Sequence, residues 1–168
     1  MYYQKCYDAP IGKMIMVSDG TALTSLVFDR QKYYETEVPK DCIEKYLPIF
    51  DETARWLDIY FSGSEPDFTP VISLKGTEFR SEVWKILMEI PYGEVTTYGE
   101  IAKQIAKKRG INRMSAQAVG GAVGHNPISI IVPCHRVVGT NGKLTGYAGG
   151  LEKKVELLKL EGITLKYI

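Results

Sequence analysis

The first thirty residues are short stretches of β-favouring residues separated by turn residues. The stretches span residues 2–7, 13–17 and 23–28, and Ser18-Asp19-Gly20 marks a turn between the last two. Strands at this spacing pair with their neighbours in sequence, so the pattern predicts an antiparallel meander. The start of the chain is therefore assigned to a β-sheet.

Helical spacing of apolar residues follows. A helix is predicted over residues 51–61, where Trp56, Ile59 and Tyr60 supply an apolar stripe. Residues 64–76 contain two prolines and end in a glycine. That composition is typical of a linker or of an extended crossing between two subdomains.

Three further helices are predicted in the middle of the chain. Between residues 79 and 90 the apolar side chains recur at helical spacing, and Pro91 ends this helix. Residues 97–100 have the spacing of a capping box and open a second helix. Ser115 is a suitable N-cap for a third, short helix over residues 116–123.

The third helix is unusual because its interior contains Gly120 and Gly121, each of which costs about 1 kcal/mol relative to alanine. Tight packing against a neighbouring helix is the commoner reason for such glycines. The alternative is a thin helix that approaches a narrow groove, since two short helices joined by a basic loop resemble a helix-turn-helix.

An apolar run precedes the candidate nucleophile. Residues 128–132 predict a buried strand that Pro133 ends, which would put Cys134 at a strand end. A glycine-rich loop follows. The last helix is predicted over residues 151–161, with Gly162 as its stop.

Charge is unevenly distributed along a chain whose net charge is +1. Residues 98–147 carry seven Lys or Arg against one acid, a local charge of +6, which leaves −5 on the remainder. Such asymmetry indicates a segment that faces a polyanion. A solvated basic face explains the charge equally well.

Size and composition predict a cytoplasmic protein without a membrane span. The 168 residues suffice for one domain or two small ones, and the N-terminus lacks a signal-peptide pattern. No apolar run approaches the roughly 20 residues that cross a bilayer. Cys6, Cys42 and Cys134 are widely spaced and odd in number, which favours reduced thiols. No Cys or His pair has the spacing of a structural zinc site, so no metal is expected.

Cys134 is either a small buried apolar residue, the commoner role of a free cysteine, or a nucleophile. Cations at His135 and Arg136 would favour its thiolate, which supports the reactive interpretation. Neighbours in an extended chain point to opposite sides, so His135 would need a water molecule to reach the thiol. Glu161 falls beside the apolar stripe of the last helix and is a candidate partner of His135, although a solvated glutamate is the commoner case.

Three motifs are specific when taken together. They are Ile-Pro-Tyr-Gly-Glu-Val-Thr-Thr-Tyr98-Gly, Ala-Val-Gly-Gly-Ala-Val-Gly-His-Asn126-Pro and Ile-Val-Pro-Cys134-His135-Arg136-Val-Val-Gly. Over about residues 77–162 the chain resembles the O6-alkylguanine-DNA alkyltransferases, also called methylated-DNA-protein-cysteine methyltransferases. The resemblance implies an α/β (α+β) fold. A small ribonuclease-H-like strand and helix domain, residues 1–70, would pack on a mainly helical domain, residues 71–168, with a helix-turn-helix.

The resemblance also implies an activity. A flipped-out O6-alkylguanine in double-stranded DNA would irreversibly transfer its alkyl group to Cys134, in one turnover and without a cofactor. A monomer would bind the minor groove. The implied catalytic set is Cys134 as acceptor, His135 and Glu161 as its activators through water, Asn126 ordering the turn, and Tyr98 donating a proton to guanine N3. By the same resemblance, Tyr147 lines the base pocket, and the carbonyls of Cys134 and Val137 accept hydrogen bonds from the guanine amine. The implied DNA and base contacts are Gln117, Ala118, Gly121, Arg136, Val137, Tyr147, Ala148, Arg113 and Ser115.

Two departures from the family pattern stand out. Gln117 occupies the position of an arginine that usually replaces the flipped base in the stack, which predicts weaker DNA binding or slower flipping. The loop over residues 107–114 is longer and more basic than in many relatives. We expect Arg109 or Arg113 to compensate electrostatically.

Three other functions fit parts of the sequence. A non-catalytic lesion-sensing DNA-binding protein would lack the cysteine that Cys134 supplies. A cysteine hydrolase conflicts with the adjacency of Cys134 and His135. A helix-turn-helix regulator would bind a DNA sequence rather than a lesion.

Overall fold

The computed structural model of the chain describes residues 1–164, which form two compact units. The first contains residues 1–75 and 127–129, and the second contains residues 76–126 and the described residues from 130 onward. The first unit consists of β1 (Tyr3–Ala9), β2 (Gly12–Ser18), β3 (Leu23–Phe28), α1 (Tyr34–Glu37), β4 (Ile43–Glu44) and α2 (Pro48–Phe61).

The predicted meander is confirmed. β1 pairs antiparallel with β2 and β2 with β3, and β4 adds a parallel edge beside β1, in the order β3-β2-β1-β4. One face of the sheet contributes Ile15, Val17 and Val27 to a buried apolar cluster with Val38. Alternation along β2 thus buries one row of side chains in this cluster.

Helix α2 begins three residues earlier than predicted. Pro48 occupies its first turn, where a proline's missing N–H costs no hydrogen bond. Residues 64–75 belong to the first unit and are not a free linker, because Leu23 donates to the carbonyl of Val71 at 2.8 Å and Ser73 donates to that of Leu23 at 2.9 Å.

The second unit contains all the predicted catalytic residues. Its elements are α3 (Glu78–Met88), β5 (Thr96–Thr97), α4 (Tyr98–Arg109), α5 (Ala116–Gly124), β6 (Val137–Val138) and α6 (Leu151–Leu160), with 3-10 turns at Cys134–Arg136 and Thr140–Gly142. β5 and β6 form a short parallel pair. The indole of Trp84 in α3 donates to the carbonyl of Ala122 at 2.9 Å and so fixes α5.

Local capping explains where these helices begin. The hydroxyl of Thr97 accepts from the amide of Glu100, and that of Ser115 accepts from the amide of Ala118, as predicted. Gly110 ends α4 in the left-handed conformation, with a φ of 67°, which only glycine adopts without cost.

The predicted strand over residues 128–132 is wrong. Ile128 forms a single bridge with Leu26, and the chain then turns instead of continuing as a strand. Ile130 has a φ of 68°, a conformation that is unfavourable for a β-branched residue, and it is 1% exposed. An apolar run predicts that its residues are buried, but it does not predict their backbone conformation. Residues can be buried on all sides in a packed turn as well as in a strand.

Within residues 1–164, the structure contains no helix long and apolar enough to cross a bilayer.

Candidate active site

Cys134 lies in the 3-10 turn Cys134–Arg136, directly after the irregular turn that replaces the predicted strand. Its amide donates to the carbonyl of Val132 at 2.8 Å, and the residue is 7% exposed. The side-chain amide of Asn126 also donates to Val132, at 2.8 Å. Asn126 therefore ties the C-terminal end of α5 to the turn that carries the thiol.

His135 and Glu161 form a buried pair. Nε2 of His135 lies 2.5 Å from Oε2 of Glu161, and the residues are 0% and 6% exposed. Oε1 of the same carboxylate accepts from Nε of Arg136 at 2.7 Å and from the amide of Gly93 at 3.1 Å. Glu161 ends α6, so these donors offset the unfavourable interaction of a carboxylate with the end of a helix dipole.

The turn explains how adjacent residues act together. In an extended strand the side chains of His135 and Arg136 would diverge. In the 3-10 turn both contact Glu161. The predicted contact between His135 and Glu161 is present because of this local geometry.

Burial is the main influence on the ionisation of this cluster. It lowers the pKa of His135 against the opposing effect of Glu161, so the imidazole is neutral at pH 7. A neutral ring beside a carboxylate carries its proton on Nε2, which leaves Nδ1 as an acceptor. Burial also raises the pKa of Cys134, while the hydrogen bond from Asn126 and the charge of Lys154 oppose this shift.

This result corrects the expected source of thiol activation. The cations predicted to favour the Cys134 thiolate were His135 and Arg136. The imidazole is neutral, and Arg136 is committed to Glu161 and to the carbonyl of Ile90 at 2.8 Å. The positive charge that favours the thiolate is instead that of Lys154.

Arg136 is also not placed as a DNA ligand. It is 8% exposed, its guanidinium faces the interior contacts with Glu161 and Ile90, and it lies 5.6 Å from the ring centroid of Tyr92. The prediction that it contacts DNA came from the family resemblance. Its geometry instead supports a structural role in holding the carboxylate.

Tyr98 is the first residue of α4 and contacts the loop between β6 and α6. Its hydroxyl lies 2.8 Å from that of Thr145, and burial raises its pKa, so the phenol keeps its proton at neutral pH. Tyr147 and Ala148 lie in the same loop, both half-buried. A cavity of about 410 Å³ is lined by Tyr98, Gly99, Ala116, Gln117, Gly120, Gly139 and Thr140.

Lys154 is a residue of this region that the sequence reasoning missed. It is 0% exposed, and its ammonium donates to the carbonyls of Val137 at 2.7 Å and Thr145 at 3.2 Å. Burial lowers its pKa to about 8. A signal was available, since Lys154 falls between Leu151 and Leu158 on the apolar stripe of α6.

The predicted DNA-contacting residues of α5 and of the segment before it are exposed. Arg113, Ser115, Gln117, Ala118 and Gly121 are all exposed. Arg109 differs from Arg113, because its guanidinium binds Glu82 at 2.7 Å and its charge is thereby balanced.

Packing does not account for the two glycines of α5. A Cβ atom at Gly120 would meet the ring of Tyr98 at 3.8 Å, an ordinary contact. At Gly121 a Cβ atom would have no heavy atom of the described residues within 4 Å, apart from the helix itself and the chain neighbours. The interpretation that both glycines serve tight helix packing is therefore wrong for Gly121, and a thin exposed face remains as the explanation.

Comparison with known proteins assigns both parts of the chain. Residues 78–163 match the family model described as the DNA binding domain of 6-O-methylguanine DNA methyltransferase, and residues 1–74 match the model of its ribonuclease-like domain. A methylated-DNA-protein-cysteine methyltransferase of Methanosarcina acetivorans is 48% identical over 96% of this chain and 99% of its own length.

Solved structures agree with this assignment. The O6-methylguanine methyltransferase of Mycobacterium tuberculosis superposes with a TM-score of 0.83 at 43% identity, covering 96% of this chain and 93% of that one. The OGT protein of the same organism, crystallised in complex with DNA, gives a TM-score of 0.81 at 42% identity, with coverages of 95% and 91%.

Proposed function

Since the chain belongs to the 6-O-methylguanine DNA methyltransferase family, we propose that it repairs DNA by moving the alkyl group of O6-alkylguanine onto Cys134. The observation that carries this proposal is that His135, in the same turn as Cys134, makes a buried contact with Glu161. One protein molecule performs one transfer, because the alkylated cysteine is a thioether, which water does not hydrolyse at neutral pH.

The reaction begins with removal of the thiol proton. Nδ1 of the neutral His135 accepts this proton through a water molecule, and Glu161 stabilises the imidazolium that forms. Asn126 keeps the turn in place during the transfer. The sulfur then attacks the alkyl carbon, so that the Sγ–carbon bond forms while the carbon–O6 bond breaks.

The leaving guanine needs a proton as negative charge moves into its ring. Tyr98 supplies it at N3, since its raised pKa keeps the phenol protonated. A proton then returns to Tyr98 from His135 through solvent. The net change is the exchange of the thiol proton for the alkyl group, which balances without a cofactor.

DNA binding is proposed to use the exposed face of α5. This helix approaches the minor groove through Ser115, Ala118 and Gly121, while Gln117 takes the place of the flipped base. The extruded guanine enters beside Tyr98, which lines the cavity of about 410 Å³. Tyr147, Ala148 and the carbonyls of Cys134 and Val137 are the proposed contacts of the base. Arg113 adds positive charge at the phosphate backbone.

We further propose that one chain acts alone, because the second unit carries every reactive group. Residues 1–70 form the ribonuclease-like domain and residues 71–168 form the DNA-binding and alkyl-acceptor domain in this proposal. The proposed cellular location is the cytoplasm.

Intact mass measurement tests the proposal directly. After incubation with duplex DNA containing O6-methylguanine, the protein should gain the mass of one methylene group, on the peptide that carries Cys134. The exposed Cys6 serves as an internal control for nonspecific alkylation. Cys134→Ser should bind the lesion-containing DNA and leave it unrepaired. Lesion binding by the unaltered protein without a mass gain would instead indicate a lesion sensor.

A further inference from the structure

Thr145 lies between Tyr98 and the fully buried Lys154. Its Oγ1 is 2.8 Å from the Tyr98 hydroxyl and 3.5 Å from Nζ of Lys154. The backbone carbonyl of Thr145 accepts from the same ammonium at 3.2 Å. We infer that Thr145 and Lys154 are positioning residues that aim the hydroxyl hydrogen of Tyr98 at the leaving base, an inference that rests on the proposed function.

Several backbone carbonyls fix the position of the Lys154 ammonium group. Its Nζ donates to the carbonyl of Val137 at 2.7 Å and lies 3.4 Å from that of Gly146, in addition to its contacts with Thr145. These acceptors belong to β6 and to the loop between β6 and α6. The ammonium therefore sets the position of Thr145 relative to β6.

Lys154 limits how the hydroxyl group of Thr145 bonds to Tyr98. An ammonium group only donates, so Thr145 presents a lone pair to Lys154. In this inference Thr145 donates its single hydroxyl hydrogen to the oxygen of Tyr98 at 2.8 Å, the direction in which this hydrogen bond lowers the pKa of Tyr98. Tyr98 accepts this bond, and its own hydrogen is left to point toward the base.

The same arrangement assists the transfer once it begins. As the carbon–O6 bond breaks, Tyr98 gives its hydrogen to N3 and becomes a phenolate for a short time. The Thr145 hydroxyl already donates to that oxygen, and the charge of Lys154 lies beyond it. Neither residue changes its protonation state, so the overall balance of the reaction is unaltered.

Thr145→Val tests the inference, because valine keeps the shape of threonine and removes its hydroxyl. The single-turnover rate of methyl transfer should fall about tenfold, a fraction of what a general acid contributes. Thr145→Ser should restore most of the rate. The dissociation constant for lesion-containing DNA should stay within about twofold, since the positioned proton acts after binding.

A substrate that cannot use the proton separates positioning from mere packing. DNA carrying 3-deaza-O6-methylguanine has a carbon in place of N3 and accepts no proton there. On this substrate Thr145→Val and the unaltered protein should react at equal rates, within about twofold. An equal loss on both substrates would overturn the inference, because a structural defect slows both reactions alike.

A Tyr98→Phe background gives a second, independent measurement. Thr145→Val should add no further loss there, whereas multiplicative losses would contradict the inference. The unaltered protein distinguishes the two proposals. If it fails to alkylate Cys134 at all, the proposed function is wrong. If the unaltered protein alkylates Cys134 and Thr145→Val does so at the same rate as the unaltered protein on each substrate, only the positioning role is wrong.

Discussion

Glu161, the residue that ends α6, lies 2.5 Å from His135 and 2.7 Å from Arg136, which are neighbours in the turn that begins with Cys134. One carboxylate thus orients the candidate base and compensates a buried guanidinium. Catalysis and stability are therefore coupled at this residue.

Glu161→Gln should affect both properties. The amide can donate to His135 and favour the wrong tautomer, so the rate of methyl transfer should fall about 100-fold. Loss of the charge leaves Arg136 buried without its carboxylate, which should lower the free energy of unfolding by about 3 kcal/mol. Single-turnover kinetics and urea unfolding measure the two effects.

Glu156→Gln is the matched control, since Glu156 is exposed on the same helix. It should change the rate less than twofold and the unfolding free energy by less than about 0.5 kcal/mol. Unaltered kinetics in Glu161→Gln would contradict the proposed role of this carboxylate.

The neutral His135 predicts a loss of stability in mild acid. Its pKa in the folded protein lies below the ordinary 6.5, so the unfolded chain takes up a proton first as the pH falls. The stability that depends on neutral His135 is complete above pH 6.5 and is lost as the pH falls from there toward the lowered pKa, by at most about 1.4 kcal/mol per pH unit. Urea unfolding at pH 7.5 and 5.5 measures this loss.

His135→Gln removes the titrating group and should make the decline between these pH values shallower. The same decline in both proteins would show that other groups cause it.

Gly121→Ala separates the two explanations of the thin helix. With no described atom within 4 Å of the added Cβ, beyond the helix itself and the chain neighbours, the substitution should raise the free energy of unfolding by up to about 1 kcal/mol. The same methyl group should weaken DNA binding, because it enlarges the face proposed to enter the groove. Thermal unfolding and fluorescence anisotropy with duplex DNA measure the pair of changes. A protein that is stabilised and binds DNA as before would refute the close approach of α5.

Gln117→Arg should strengthen DNA binding. The exposed side chain would gain a cation at the position proposed to replace the flipped base, and the dependence of affinity on salt should steepen by about one charge. Gln4→Arg adds the same charge to β1 in the other unit and is the control. Equal affinity and repair rate in Gln117→Arg and the unaltered protein would disprove the expected deficit.

The predicted family is confirmed by matches over both parts of the chain, and the predicted mixed α/β fold is confirmed as well. The starts of α4 and α5 were predictable because Thr97 and Ser115 cap amides only three residues away. Such contacts depend on neighbouring residues and are visible in the sequence.

Errors arose where burial rather than local preference decides the conformation. Residues 128–132 are apolar enough for a strand, yet their backbone turns and brings Cys134 into a 3-10 turn. That turn also places Arg136 inside the protein, whereas the family resemblance had implied a DNA contact. Apolar composition alone does not distinguish these outcomes.

The sequence by itself determined the N-terminal meander, the N-caps of α4 and α5 and the candidate nucleophile Cys134, because each depends on neighbouring residues or on a motif. Tertiary structure alone decided the ionisation of His135, the inward placement of Arg136 and the contact of Lys154 with Thr145. Each of these depends on distances between segments far apart in the chain and on the exclusion of water around them. The spacing of residues along the chain gives neither these distances nor the exclusion of water.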